Sequence, residues 1–150
     1  MNKDKLIRAL FDVNVILDVL ARREPFYQDA AELWSLVERG QIVGLLAAHS
    51  ITTIFYLYAR QVSHQAASLS IGKLLKVFRV APIDQPVIET ALQYGWVDFE
   101  DAVQMAAASA ADCDYLVTRN PQDFKPSPVQ TIQPADFLAI IRGKSKQPDS

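Results

Sequence analysis

Apolar and polar positions fall in blocks along this chain, and the blocks switch period. Leu6–Phe11 is a short, nearly unbroken apolar run, which predicts a buried strand with Asp12 at its carboxyl end. Val13, Val15, Ile16, Val19 and Leu20 then recur at helical spacing until Arg22-Arg23-Glu24-Pro25 breaks the pattern. Tyr27–Arg39 predicts a second amphipathic helix, with Ala30, Ala31, Leu33, Trp34 and Val37 facing inward and Gly40 as its stop. Ile42–Ala47 reads as a second strand. Ser50 is placed to cap a helix running to about Gln61, with Ile51, Ile54, Phe55, Leu57 and Tyr58 on its inner face.

A further helix is expected over Ser63–Lys76, then a third strand at Phe78–Ala81 stopped by Pro82. Asp84 caps a helix from Gln85 to Tyr94, with Pro86 in its first turn. Asp98 opens an alanine-rich helix, Phe99–Ala111, suited to close packing on a sheet. Tyr115–Thr118 and Val129–Ile132 predict two more strands, and Pro134–Ile141 a closing helix capped by Gln133 or a neighbour. The polar GKSKQPDS from Gly143 reads as a disordered tail, leaving residues 1–142 as one domain. Short apolar strands alternating with helices imply an α/β fold: a five-stranded, mostly parallel sheet covered on both faces. In such folds ligands bind at the carboxyl ends of the strands, where the strand order reverses.

Composition narrows the classes. Half of the 150 residues are hydrophobic, enough for a sizeable core. No apolar stretch is long and clean enough to cross a bilayer, and Met1–Lys5 lacks the apolar region of a signal peptide. Cys113 stands alone, which excludes an internal disulfide, argues against a cysteine zinc site and fits a reducing, cytoplasmic setting. A net charge of -2 gives no general attraction for nucleic acid, so phosphate binding would need a local basic patch or metal ions. Arg22, Arg23, Arg60, Lys73, Lys76, Arg79, Arg119 and Lys125 are the nearby cations, and solvated surface is their simplest reading.

The strand ends are acidic. Asp12 follows the first strand, with Asn14 and Asp18 after it; Asp98, Glu100 and Asp101 open the alanine-rich helix; Asn120 and Asp123 follow the fourth strand. Carboxylates gathered from three segments repel one another unless a cation neutralises them. Mg²⁺ and Mn²⁺ prefer such hard oxygen donors and can stabilise an in-line displacement at phosphorus. Each acid also has a structural reading. Asp98 is a natural helix cap, Asp101 favours the helix dipole, and Asn120-Pro121 with Asp123 forms a complete helix start.

In order and spacing, LFDVNVILDVL, DFEDAVQMAAA and YLVTRNPQDF resemble the PIN-domain family, the nuclease fold of VapC-type toxins, over Leu6–Ile141. The resemblance implies a PIN-like three-layer α/β/α fold and Mg²⁺- or Mn²⁺-dependent hydrolysis of RNA phosphodiesters. It implies that Asp12, Asp101 and Asp123 hold the metal and that Asp98 joins them in catalysis. Asn14, Thr118 and Asn120 would position waters or phosphate. A small antitoxin protein and a homodimer are the implied partners; Phe55, Tyr56 and Tyr58 could form such an interface, although core is their plainer reading.

One feature departs from the family pattern. AHSITTIFYLYAR carries no acid where the family has a glutamate; Thr53, or Thr52, takes that position. A hydroxyl can bond a metal-bound water but brings no charge, so divalent binding should weaken. His49 stands close enough in sequence to contact a phosphate, although a strand-end surface histidine is the plainer reading. Two alternatives follow: a catalytically weakened or inactive PIN-like module that binds RNA or protein, and a flavodoxin-like or Rossmann-like phosphate binder. The second is opposed by acidic strand ends and by the absence of a glycine-rich loop.

Overall fold

A computed structural model describes residues 5–125 and 127–146 of the chain. Five parallel strands are ordered β3-β2-β1-β4-β5: β1 (Arg8–Phe11), β2 (Val43–Ala47), β3 (Arg79–Ala81), β4 (Tyr115–Val117) and β5 (Gln130–Ile132). From β1 the chain first builds outward through β2 to β3. It then returns to add β4 and β5 on the other side. The strand order therefore reverses between β1 and β4, and the polar crevice belongs there.

The strand pleat explains the three layers. Ala9 and Phe11 face one core, while Leu10 between them faces the other. The first face is covered by α1 (Val13–Leu20), α2 (Tyr27–Glu38), the hairpin of α3 (Ala48–Gln61) and α4 (His64–Val77), and α7 (Pro134–Lys146). The second is covered by α5 (Gln85–Tyr94) and α6 (Phe99–Ala110). Ala102, Ala106, Ala107 and Ala108 are buried, so α6 lies close against the sheet, as its composition predicts. Phe78 stacks edge-on with Phe11 and Trp34, and a Cβ at Gly44 would meet the Phe78 ring and Val37 at 2.8 Å.

Two of the expected side-chain caps are present: Asp84 accepts from the Val87 N–H and Asp98 from the Asp101 N–H. Ser63, expected only as the first residue of its helix, is a third cap and accepts from the Ala66 N–H. Four expectations need correction. Ser50 does not cap α3; the helix starts at Ala48, and Ser50 is buried inside its first turn. Leu57, expected inward, and Tyr56, with core as the plainer expectation, are both exposed, Tyr56 by 58%. Asn120 makes no side-chain cap, and the turn after it is a single 3₁₀ turn, Pro121–Asp123. The closing helix continues to Lys146, so the first four residues of the expected tail, 143–146, are helical, while 147–150 lie outside the described residues. Among the described residues, no helix is long and apolar enough to cross a membrane.

Candidate metal and phosphate site

The reversal point places the ends of β1 and β4 side by side. The Asp12 N–H donates to the Val117 carbonyl at 2.9 Å, and the Thr118 N–H donates to the Ile132 carbonyl at 3.0 Å. This register sets Asp12 and Thr118 abreast. The Thr118 hydroxyl donates to Asp12 Oδ2 at 2.9 Å and accepts from the Asn120 N–H at 3.2 Å. From α6, Gln104 Nε2 donates to Asp12 Oδ1 at 3.0 Å. Both oxygens of a carboxylate only 8% exposed are thus oriented by neutral donors. No full positive charge touches Asp12 in these contacts, so its charge stays available to a cation.

Around Asp12 lies a cavity of ≈ 300 Å³. Asn14, Thr53, Asp98, Asp101, Thr118, Asn120 and Asp123 line it with Asp12, which accounts for every residue singled out in the sequence as catalytic, metal-holding or positioning. Glu100 and Gln104 complete the polar lining. Asp18 is excluded. It is 1% exposed and is ion-paired with Arg23 at 2.9 Å and Arg119 at 3.2 Å. Arg119 also lies over the Phe26 ring at 4.1 Å. Solvated surface is therefore the wrong description of these two arginines. His49 meets the Glu100 carbonyl through Nε2 at 3.1 Å and does not line the cleft.

Gln104 had no assigned role in the sequence. Its signal was available: it stands one helical turn after Asp101 and interrupts an otherwise apolar, alanine-rich face. Gln104 is 2% exposed, and its Oε1 finds no hydrogen-bond partner among the described residues. Glu100, given only a place at the helix start, accepts from the Thr53 hydroxyl at 3.0 Å.

Electrostatics mark the cleft as anionic and crowded. The Asp101 carboxyl is pushed up to about 7, first by burial, then by the charges of Asp98, Asp12 and Asp123. Asp18 is also raised, by burial that its two arginines only partly offset. The donor set suits a hard divalent cation, being carboxylate, amide and hydroxyl oxygens throughout. Among the described residues, no three His, Cys, Asp or Glu side chains approach closely enough to ligate an ion by themselves. The set therefore fits a cation such as Mg²⁺, which binds through one or two carboxylates and keeps several waters. It does not fit an all-protein cage.

Comparison with known proteins agrees with this architecture. The PIN domain family profile matches residues 8–122, so the chain belongs to the PIN-domain family. No curated protein matches it in sequence. Similar solved structures include FitAcB from Neisseria gonorrhoeae, with 22% identity and a TM-score of 0.65, covering 85% of this chain and 98% of that one. VapBC from Salmonella typhimurium, bound to DNA, shares 13% identity at a TM-score of 0.65, covering 86% and 99%. Mycobacterium tuberculosis VapC20, described as a sarcin-ricin loop cleaving toxin, shares 18% identity at a TM-score of 0.61, covering 72% and 86%.

Proposed function

We propose that the chain is a Mg²⁺- or Mn²⁺-dependent endoribonuclease acting in the cytoplasm as the toxin of a toxin–antitoxin pair. The observation that carries this reading is the convergence of Asp12, Asp98, Asp101 and Asp123 on one cleft at the strand-order reversal. Asp12, Asp101 and Asp123 would surround the cation, one or two of them ligating it directly and the rest through its waters, with Asp98 beside them. The cation, when bound, would lower the pKa of a water and neutralise charge at the phosphate. The Thr118 hydroxyl and Gln104 amide keep Asp12 in one orientation, and Asn14 and Asn120 offer amides toward the phosphodiester.

Toxin–antitoxin proteins among the similar structures support a small antitoxin as partner. Exposed Tyr56, Leu57, Val62 and Leu69 on the α3–α4 hairpin offer apolar area for that partner or for a homodimer. The test is an RNA cleavage assay with Mn²⁺, Mg²⁺ or chelator, run beside Asp12→Asn and Asp101→Asn. Metal-dependent cleavage by the parent, lost by at least a hundredfold in both variants, is expected; equal cleavage by the variants would refute the reading. A second reading, an RNA- or protein-binding module without turnover, is favoured by Thr53 standing where the α3 acid would be. Binding without product in the same assay would select it.

A further inference from the structure

We propose that Glu100 supplies the carboxylate that the α3 wall of the cleft lacks, and that the Thr53 hydroxyl positions it there. This rests on the metal-dependent reading above. The α3 side of the cavity is formed by Thr53 and Leu57, and α3 contains no acid. Glu100 crosses from the first turn of α6 to this wall, where Thr53 Oγ1 donates to its Oε2 at 3.0 Å. Its backbone is held on the same side, because the Glu100 carbonyl meets His49 Nε2 at 3.1 Å. An acid in a first helical turn is favoured by the helix dipole wherever its side chain points. The dipole does not account for a side chain anchored to a residue 47 positions away.

A second, independent feature of a residue lining the same cavity is an unmatched buried acceptor. Gln104 Oε1, on a side chain almost wholly buried, is an acceptor with no partner among the described residues. A cation carrying its own waters brings hydrogen-bond donors into such a cleft. Glu100 then adds negative charge at the one wall without it: Asp12 follows β1, Asp98 and Asp101 stand with Glu100 at the α6 start, Asp123 follows β4, and of these Glu100 alone is held against α3 by Thr53. Thr53 acts only through Glu100, as a positioning residue.

The test is Mn²⁺ affinity of the full chain, measured by calorimetry and by electron paramagnetic resonance. Glu100→Gln is expected to weaken binding roughly 10- to 100-fold, the usual cost of an outer-shell loss. Thr53→Val should weaken it several-fold, and Thr53→Ser should retain it. Thr53→Glu in the Glu100→Gln background should restore affinity, since the charge returns to the same wall. Unchanged affinity in Glu100→Gln, or no restoration in the double variant, overturns the proposal. If Asp101→Asn abolishes Mn²⁺ binding while Glu100→Gln does not, this inference alone falls. If the parent binds no Mn²⁺, the metal-dependent reading falls with it. Metal-free melting curves of the variants check that the fold is retained.

Discussion

At Asp101 the fold holds a carboxyl against its own preference for ionisation. Its pKa in the folded chain is about 7, against 3.8 for the free side chain. Between those values the folded state keeps a proton that the unfolded chain releases. Stability of the metal-free protein should therefore fall as pH rises from about 4 to about 7, by at most about 1.4 kcal/mol per unit. The raised Asp18 contributes with the same sign. Urea unfolding across this range is the measurement, and Asp101→Asn should flatten the slope; a parent chain equally stable at both ends would contradict the assignment. Asp12 makes a different case. Asn at this position keeps one acceptor oxygen, and Thr118 can turn its hydroxyl to accept, so folding should survive within about 1 kcal/mol. Asp12→Ala leaves the buried Gln104 and Thr118 groups unpaired and should cost roughly 1–3 kcal/mol by the same measurement.

Among the elements, those with an internal period were legible and those made by distant pairing were not. The β1 and β4 ends, the caps at Asp84 and Asp98 and the close packing of α6 all have local causes, which a single segment displays. The start of α3 was misread because Ser50 has a capping side chain, yet the helix follows Ala47 without any side-chain cap. Asp18 was grouped with the cleft acids because a one-dimensional pattern cannot show that Arg119, across the fold, takes it away. That pairing ties α1 to the segment after β4. Arg119→Ala should cost roughly 1–3 kcal/mol in denaturant unfolding, because Arg23 remains to face the buried charge. Gly44 likewise reads as a weak spot in a strand until its neighbours are known. Gly44→Ala puts a methyl at 2.8 Å from the Phe78 ring and Val37, and a loss of about 1–3 kcal/mol is expected from overpacking. A melting temperature equal to that of the parent would show that the ring and Val37 can yield.

For the whole molecule, the cleft acids were legible as a list, and their meeting depended on strand order, which periodicity does not encode. A cation that binds only this assembled cleft stabilises the fold by mass action, about 2.7 kcal/mol at a hundred times its dissociation constant. Thermal unfolding with Mn²⁺ should show a rise that chelator reverses and that Asp101→Asn removes; no rise in the parent would exclude tight, fold-selective binding. The same geometry has a consequence in time. Asp12 lies near the start of the chain, and the hydroxyl that orients it comes 106 positions later. On a ribosome moving at about 5–20 residues per second, that separation corresponds to roughly 5–20 s. Until β4 has emerged and slotted beside β1, a nascent chain owns scattered acids but no cleft. On the nuclease reading proposed above, a chain built in this order would have no working cleft while it is being made, beside the very message and ribosome it would otherwise be first to meet.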